Sequence, residues 1–283
     1  MAKKNNIVKR EIKRLGAEFW DVNPCGGSWT TYSEFMEWYL QTEPRLFQML
    51  DPYEWSGKKV LEVGCGQGIT VNYLARRGAI INGLDMSFQS VRQAQYGAVE
   101  LGFSELVNLS QADAEQLPFA SNTFDLIISL GVLHHTENTI GSIQEIYRIL
   151  KDNGKIIIML YRSGNPKWWM TSSLRTFSRF VDFLFGRPNV LLEWFRSRHE
   201  SDSTSGTALL ELFGVPILKA YSNREVLKMF SSFRDVTVMN LMPGFLRLVD
   251  ILSGLKLFEG LLATVDHVTE QVWGFYQVIE ARK

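Results

Sequence analysis

The stretch Val60-Leu61-Glu62-Val63-Gly64-Cys65-Gly66-Gln67-Gly68 runs an apolar segment into three glycines at alternate positions. An apolar run of this kind, Lys59 to Val63, suits a strand buried on both faces. The glycines suit a tight turn, and Ile69 to Arg77 reads as a helix that Gly78 ends. Over such a turn the backbone can approach a ligand closely, and the helix amides beyond it face an anionic or polar group. The segment therefore reads as a nucleotide-cofactor loop. A dinucleotide loop favours G-x-G-x-x-G, but Ile69 stands where the last glycine would fall, which disfavours a pyrophosphate.

Working outward, apolar runs alternate with amphipathic ones, the pattern of a parallel sheet covered by helices on both faces. Ala79 to Asp85 reads as the second strand, Phe88 to Leu101 as a helix stopped by Gly102, and Val107 to Asp113 as the third strand. Phe124 to Leu130 follows as the fourth strand and Thr139 to Leu150 as a helix. An Asp152-Asn153-Gly154 turn leads into a fifth strand, Lys155 to Tyr161. Near the end, a helix at Asn223 to Phe233 precedes Val236 to Leu241 and Val272 to Glu280, read as an antiparallel terminal hairpin. The fold class is α/β, organised as an N-terminal helical lid (1–57), a core (58–161), an aromatic and basic cap (162–222), and the end of the sheet (223–283) interrupted by a second cap at about 242–270.

Composition narrows the function. Thirty basic and thirty acidic residues cancel, and 46% of the chain is hydrophobic. The chain has material for a core and is not of the disordered class, and it offers no overall field for a nucleic-acid backbone, so DNA is excluded as an expected partner. Two cysteines, Cys25 and Cys65, cannot build a multi-bridge scaffold or a four-thiolate zinc site. They read as reduced thiols of a cytoplasmic protein, with no metal expected. Met1 to Arg14 holds six Lys/Arg and one Glu with no apolar stretch behind it, which reads as a solvated helical start rather than a secretory signal. No run reaches the about 18 apolar residues a spanning helix needs.

Two carboxylates follow the glycine turn at informative places. Asp85 ends the second strand about twenty residues on, where an acid can accept hydrogen bonds from both ribose hydroxyls. Asp113, followed by Ala114, ends the third strand, where it can meet an adenine amino group. With these residues in place the sequence resembles the class I S-adenosylmethionine-dependent methyltransferases of the small-molecule type that includes ubiquinone/menaquinone-biosynthesis C-methyltransferases. The resemblance covers about Lys58 to Tyr161. It rests on the glycine motif, Gly83-Leu84-Asp85-Met86-Ser87, Ala112-Asp113-Ala114-Glu115-Gln116-Leu117-Pro118-Phe119, and Phe124-Asp125-Leu126-Ile127-Ile128-Ser129-Leu130-Gly131-Val132-Leu133-His134-His135.

The resemblance implies a Rossmann-like class I methyltransferase sheet with S-adenosylmethionine as cofactor. Gly64, Cys65 and Gly66 would border its methionine part, and Glu62 would orient the loop or the amino group. Asp85 and Met86 would meet the ribose, Asp113 and Ala114 the adenine, and Leu130 the end of the fourth strand beside them. His134 or His135 would act as a base or orient the acceptor, since imidazole titrates near neutrality; shaping the pocket is the competing role. The tetrapeptide Asn/Asp-Pro-Pro-Tyr/Phe of amino-methylating nucleic-acid enzymes is absent, Ser129-Leu130-Gly131-Val132 standing in its place. Upstream, Phe19-Trp20-Asp21-Val22-Asn23-Pro24-Cys25-Gly26-Gly27 is similar to a W-x-x-x-P-C-G segment of some bacterial small-molecule methyltransferases. It makes Trp20, Cys25 and Tyr32 candidates for a lid over cofactor and acceptor, with a rigid packing turn as the alternative.

Between Arg162 and Glu200 seven basic residues oppose three acids, a local excess of four, amid eight Trp and Phe side chains. Three readings stay open for this cap: an acceptor pocket with basic groups for an anionic head, a surface that rests on a membrane, or an ordinary helical cap. The leading function is methyl transfer to a small, lipophilic acceptor of isoprenoid, polyketide or acyl type, on oxygen or carbon. The alternatives are a protein or RNA methyltransferase docking through the basic cap, and a binding module that keeps the fold without turnover.

Overall fold

The computed structural model describes residues 2–24, 29–196, 213–241, 272 and 274–283. Cys25, Gly26, Gly27, Arg198 and the second cap expected at 242–270 lie outside the described residues. In chain order the elements are α1 (Ala2–Val22), α2 (Tyr32–Thr42), α3 (Pro44–Gln48), β1 (Lys59–Val63), α4 (Ile69–Ala75), β2 (Ile80–Asp85), α5 (Phe88–Glu100), β3 (Val107–Gln111) and β4 (Phe124–Leu130). A 3₁₀ turn at Leu133–His135 leads to α6 (Thr139–Ile149), β5 (Leu150–Tyr161), α7 (Pro166–Phe185), α8 (Val190–Arg196), α9 (Asn223–Met229), β6 (Arg234–Leu241) and β7 (Tyr276–Arg282).

The seven strands form one sheet in the order β3-β2-β1-β4-β5-β7-β6. The first five are parallel, and β7 runs antiparallel to both neighbours. This is the expected Rossmann-like arrangement with its antiparallel end. Val60, Leu61 and Val63 of β1 and Ile127 and Ile128 of β4 are fully buried, as continuous apolar runs must be in a sheet covered on both faces. The chain moves outward from β1 through β2 to β3, then returns to place β4 on the other side of β1. That reversal opens a crevice beyond the carboxyl ends of β1 and β4, where open α/β sheets collect ligands.

Among the boundaries that differ from the sequence reading, three change where the strands lie in the sheet or where a site residue sits. β3 stops at Gln111, so Asp113 lies on the loop beyond it. β5 begins at Leu150 because a register irregularity opposite Phe124 and Leu126 absorbs the expected turn, with Asn153 at φ +62°. The last strand is Tyr276–Arg282, displaced toward the C-terminus.

The N-terminal helices are fastened to the core by specific contacts. Glu100, at the end of α5, accepts the amides of Tyr32 and Ser33 at 3.0 Å each, satisfying donors that the start of α2 leaves unpaired. The Tyr32 ring lies against Gly97 of α5, where an added Cβ would come within 2.4 Å of ring carbons. Its hydroxyl donates to Gln67 O at 2.8 Å and accepts from Asn72 Nδ2 at 3.0 Å, so α2 holds the glycine loop from behind. Gly97→Ala should therefore destabilise the protein by about 1–3 kcal/mol in a denaturation midpoint, overriding the about 1 kcal/mol that alanine gains in an exposed helix. An unchanged or raised midpoint would show that Tyr32 can move aside.

Candidate active site

The crevice holds a cavity of about 230 Å³, floored by the glycine loop and covered by α1. At its base the loop turns back onto β2: Gly64 and Cys65 donate to Leu84 O at 2.7 and 2.9 Å, and Gly66 N donates to Asp85 Oδ2 at 2.9 Å. Gly64 is at φ +77°, and a Cβ there would lie 2.3 Å from Val132, so no side chain fits between the loop and the end of β4. Gly66, by contrast, has nothing within 4 Å of a built Cβ.

Acids ring this cavity. Glu62 is 4% exposed, and its Oε2 has no hydrogen-bond partner among the described residues. Burial pushes its carboxyl up to about 8; the nearby Asp85 charge adds to this, while the Thr70 hydroxyl and Val71 amide oppose it. Asp85 is also raised by burial, against the stabilising amides of Ser87 and Gly66. Asp113 Oδ1 accepts the Glu115 amide at 2.9 Å, while Lys13 Nζ lies 2.6 Å from Asp113 Oδ2 and 2.8 Å from Glu115 Oε2. At the other end of α1, Asp21 accepts from Ser87 Oγ at 2.7 Å and Gln89 N at 3.1 Å. The helix thus spans the mouth, tied to loops on both sides.

The adjacent histidines have different surroundings. His134 is fully buried, stacked on Tyr161 at 3.8 Å between centroids, with neither ring nitrogen bonded among the described residues and its pKa held well below the ordinary value by burial. His135 lines the cavity, with the Trp20 ring edge-on at 5.5 Å. Its Nδ1 is 2.7 Å from Ile217 O. A carbonyl only accepts, so Nδ1 carries the proton and Nε2 keeps a lone pair. Burial lowers the ring pKa to about 4; the Ile217 bond opposes the shift and the Arg175 charge assists it.

Of the residues singled out in the sequence, Trp20, Glu62, Gly64, Cys65, Gly66, Asp85, Met86, Asp113, Ala114, Leu130 and His135 line this cavity. Tyr32 stands behind the glycine loop, and His134 packs on β5, outside the lining. Sequence reasoning passed over Lys13 and Ile217, which reach the site from 100 and 82 residues away with no motif to mark them. The cationic rim expected of the first cap is not formed by its described residues. Val215, Pro216 and Ile217 give an apolar wall, and the lining's one described Lys or Arg, Lys13, faces five carboxylates: Glu62, Asp85, Asp113, Glu115 and Glu137.

Residues 61–158 match the family model described as a methyltransferase domain. A ubiquinone biosynthesis O-methyltransferase of Vibrio campbellii is 27% identical over 160 residues, 55% of this chain and 64% of that protein. The chain thus spans less than two thirds of that relative's length. One of the same name from Pseudomonas entomophila is 26% identical over 68% of this chain and 84% of its own. Among solved structures, geranyl diphosphate C-methyltransferase from Streptomyces coelicolor A3(2) superposes with a TM-score of 0.58 at 15% identity, covering 96% and 97% of the two chains. The [4+2]-cyclase SpnF superposes at 0.55 with 20% identity, covering 96% of each. These two likenesses concern the fold alone.

The strand order and the matched segment are those of a methyltransferase domain over residues 61–158, and S-adenosylmethionine is the cofactor that such a domain implies. The residues present fit that cofactor. A cationic sulfonium and ammonium suit an acid-lined cavity, Gly66 presents bare backbone, and the unpartnered Glu62 oxygen lacks a donor that an ammonium supplies.

Glu62 gives this fit a pH signature. Between the ordinary 4.5 and about 8 the folded protein keeps a proton that the unfolded chain releases, so the stability of the ligand-free protein should fall as pH rises through that window. Pairing with an ammonium favours the ionised form, so cofactor binding near pH 7 should release up to about one proton. Calorimetry in buffers of different ionisation enthalpy measures this directly. Glu62→Gln should abolish the release, and equal release by the variant would mean that another group supplies the proton.

Proposed function

We propose that this protein transfers the methyl group of S-adenosylmethionine to a hydroxyl on a small, largely apolar molecule, with His135 as the general base. The reading is carried by one observation: an imidazole fixed with its proton on Nδ1 shares the acid-lined cavity with the glycine loop. The cofactor supplies a methyl group already activated by its positive sulfur. What remains for the protein is to hold the acceptor in line, exclude water and take up the acceptor's proton. Gly64, Cys65 and Gly66 would seat the methionine part, with Glu62 at the amino group. Asp85 and Met86 would meet the ribose, Asp113 and Ala114 the adenine. Trp20 and α1 close the mouth, while Val132, Met159, Val215, Pro216 and Ile217 give the acceptor apolar walls.

The charge balance favours a neutral acceptor over a diphosphate or carboxylate, since Lys13 is engaged by two carboxylates. It also favours oxygen over carbon as the methyl acceptor, because a hydroxyl presents a proton that a neutral imidazole can take. A ring with a pKa of about 4 is deprotonated at every pH above roughly 5, so turnover should be flat upward from there until another group titrates. His135→Gln should lower kcat by about 10²–10⁴ while leaving the cofactor Kd within about twofold. The test is transfer of labelled methyl to hydroxylated aromatic and polyketide-like acceptors, with prenyl diphosphates, peptides and RNA as the competing panel. Transfer only to the macromolecules would replace this reading with the docking one, and cofactor binding without transfer to any of them would leave a binding or cyclising role on the same fold.

A second observation concerns where the protein works. Trp169, Phe177, Phe180, Phe183 and Leu184 share one side of α7, each more than half exposed, while Met170 and Leu174 pack inward beside Phe19 and Trp20. Exposed aromatics on one helix face, within a segment of basic excess, suit the interface of an anionic bilayer better than a nucleic acid. We expect sedimentation with phosphatidylglycerol vesicles, lost in Phe180→Glu/Phe183→Glu with turnover of a water-soluble acceptor preserved. Equal sedimentation of variant and wild type would remove the membrane role.

A further inference from the structure

Among the described residues of the first cap, Arg175 reaches inward to the strip that walls the cavity. From α7 its Nη2 donates to Val215 O at 2.6 Å. Two residues on, Ile217 O accepts the Nδ1 proton of His135 at 2.7 Å. The same strip is stitched to the histidine loop again at Lys219, whose amide donates to His134 O at 3.1 Å and whose Nζ donates to Thr136 O and Glu137 O at 2.9 and 2.6 Å. Tyr221 Oη completes the seam on Thr139 Oγ1 at 2.8 Å. Lys219 and Tyr221 hold the far end of the strip; Arg175 holds the end that bears on the cavity.

We infer that Arg175 is a positioning residue for His135: by fastening the Val215–Ile217 strip it fixes the carbonyl that selects the imidazole tautomer. A guanidinium suits this task because its planar donors hold a carbonyl in fixed geometry, and its charge, present at any accessible pH, also lowers the His135 pKa. The other titratable or charged groups around His135 do not duplicate it. His134 is a buried, neutral ring; Tyr161 on β5 lies edge-on at 6.1 Å; Lys219 is spent on loop carbonyls. Glu137 on the same loop, and Asp85, Asp113 and Glu115 across the cavity, are acids whose ionised forms would favour an imidazolium, with Lys13 paired among them and Glu62 held protonated by burial. Arg175 thus offsets a surrounding field that works against a neutral base.

The catalytic meaning rests on the proposed role of His135, but the inference itself is readable without turnover. The experiment is ¹⁵N imidazole spectroscopy of the full chain, wild type and Arg175→Met, with the His135 signals assigned among the four histidines by their loss in His135→Gln. Wild type should show a neutral Nδ1–H tautomer down to about pH 5. In Arg175→Met the His135 pKa should rise by about one pH unit and the tautomers should mix, as expected from removal of one nearby like charge and one restraint. Arg175→Lys keeps the charge and should recover the pKa but not the full tautomer preference; it also serves if the methionine variant folds poorly. With a methyl acceptor, kcat of Arg175→Met should drop about tenfold and its acid limb move upward, with KM for the cofactor unchanged. Unaltered His135 resonances and pKa in a folded Arg175→Met overturn the inference. Altered resonances together with full turnover by His135→Gln uphold it and remove the base role instead.

Discussion

Backbone meeting backbone beyond β1 is the constraint from which the site follows. Leu84 O takes two successive amides of the glycine loop, and Asp85 takes a third. This is feasible only because residue 64 carries no side chain in the space that Val132 fills from the end of β4. The ends of three strands are therefore locked at close range before any ligand arrives. The loop is supported from behind by the Tyr32 hydroxyl on Gln67 O, and Tyr32 is held in turn by Glu100 and Asn72. A wide and rigid base costs the chain one buried acid, Glu62, whose second oxygen has no partner in the described protein. An unpaired carboxyl in such a place is tolerable as a neutral acid and becomes useful when a cation arrives.

The core of this arrangement was legible in the sequence because it is local. Val60 to Gly68 announces strand, turn and helix within nine residues, and the distances to Asp85 and Asp113 are fixed by one βα unit each. The sheet's mostly parallel order with an antiparallel end also follows from where helical runs separate strands and where they do not. What escaped the reading depends on chain segments meeting from far apart. Lys13 reaches Asp113 across 100 residues and Ile217 reaches His135 across 82. No periodicity or spacing encodes such meetings, since a lone lysine on a polar helix reads as solvated. His134 and His135 were equivalent on paper, because neighbours on a loop have no assigned sides. The 3₁₀ turn separates them, sending one ring against Tyr161 and the other into the cavity.

The aromatic cap divides in a way that composition could not reveal. Its Trp and Phe residues suit an acceptor pocket, a membrane-resting surface or an ordinary helical cap alike, and the described α7 turns Trp169, Phe177, Phe180 and Phe183 outward. The apolar wall of the cavity comes instead from three unremarkable residues, Val215, Pro216 and Ile217, placed there by hydrogen bonds from Arg175 and His135. Counting aromatics measures how much apolar surface a segment has, and only the helix phase decides which side it serves.

Electrostatics then link the two halves of the cavity. On the proposed reading, carboxyl groups around a single lysine suit a cationic methyl donor, and those that are ionised would favour a protonated imidazole nearby. Burial of His135 and the fixed charge of Arg175 act in the opposite sense, so one small cavity can hold carboxylates for the donor and a neutral nitrogen for the acceptor. The separation is possible because Glu62, Asp85, Asp113 and Glu115 project from the β1, β2 and β3 side while the arginine stands on α7, beyond the Val215–Ile217 strip. Coulomb interactions weaken with distance, so each group acts most strongly on its nearest neighbours. Moving the arginine into the cavity would pair it with the carboxylates and cancel the attraction for the donor. Its indirect position, on Val215 O two residues before the carbonyl that His135 meets, is what lets both requirements hold at once.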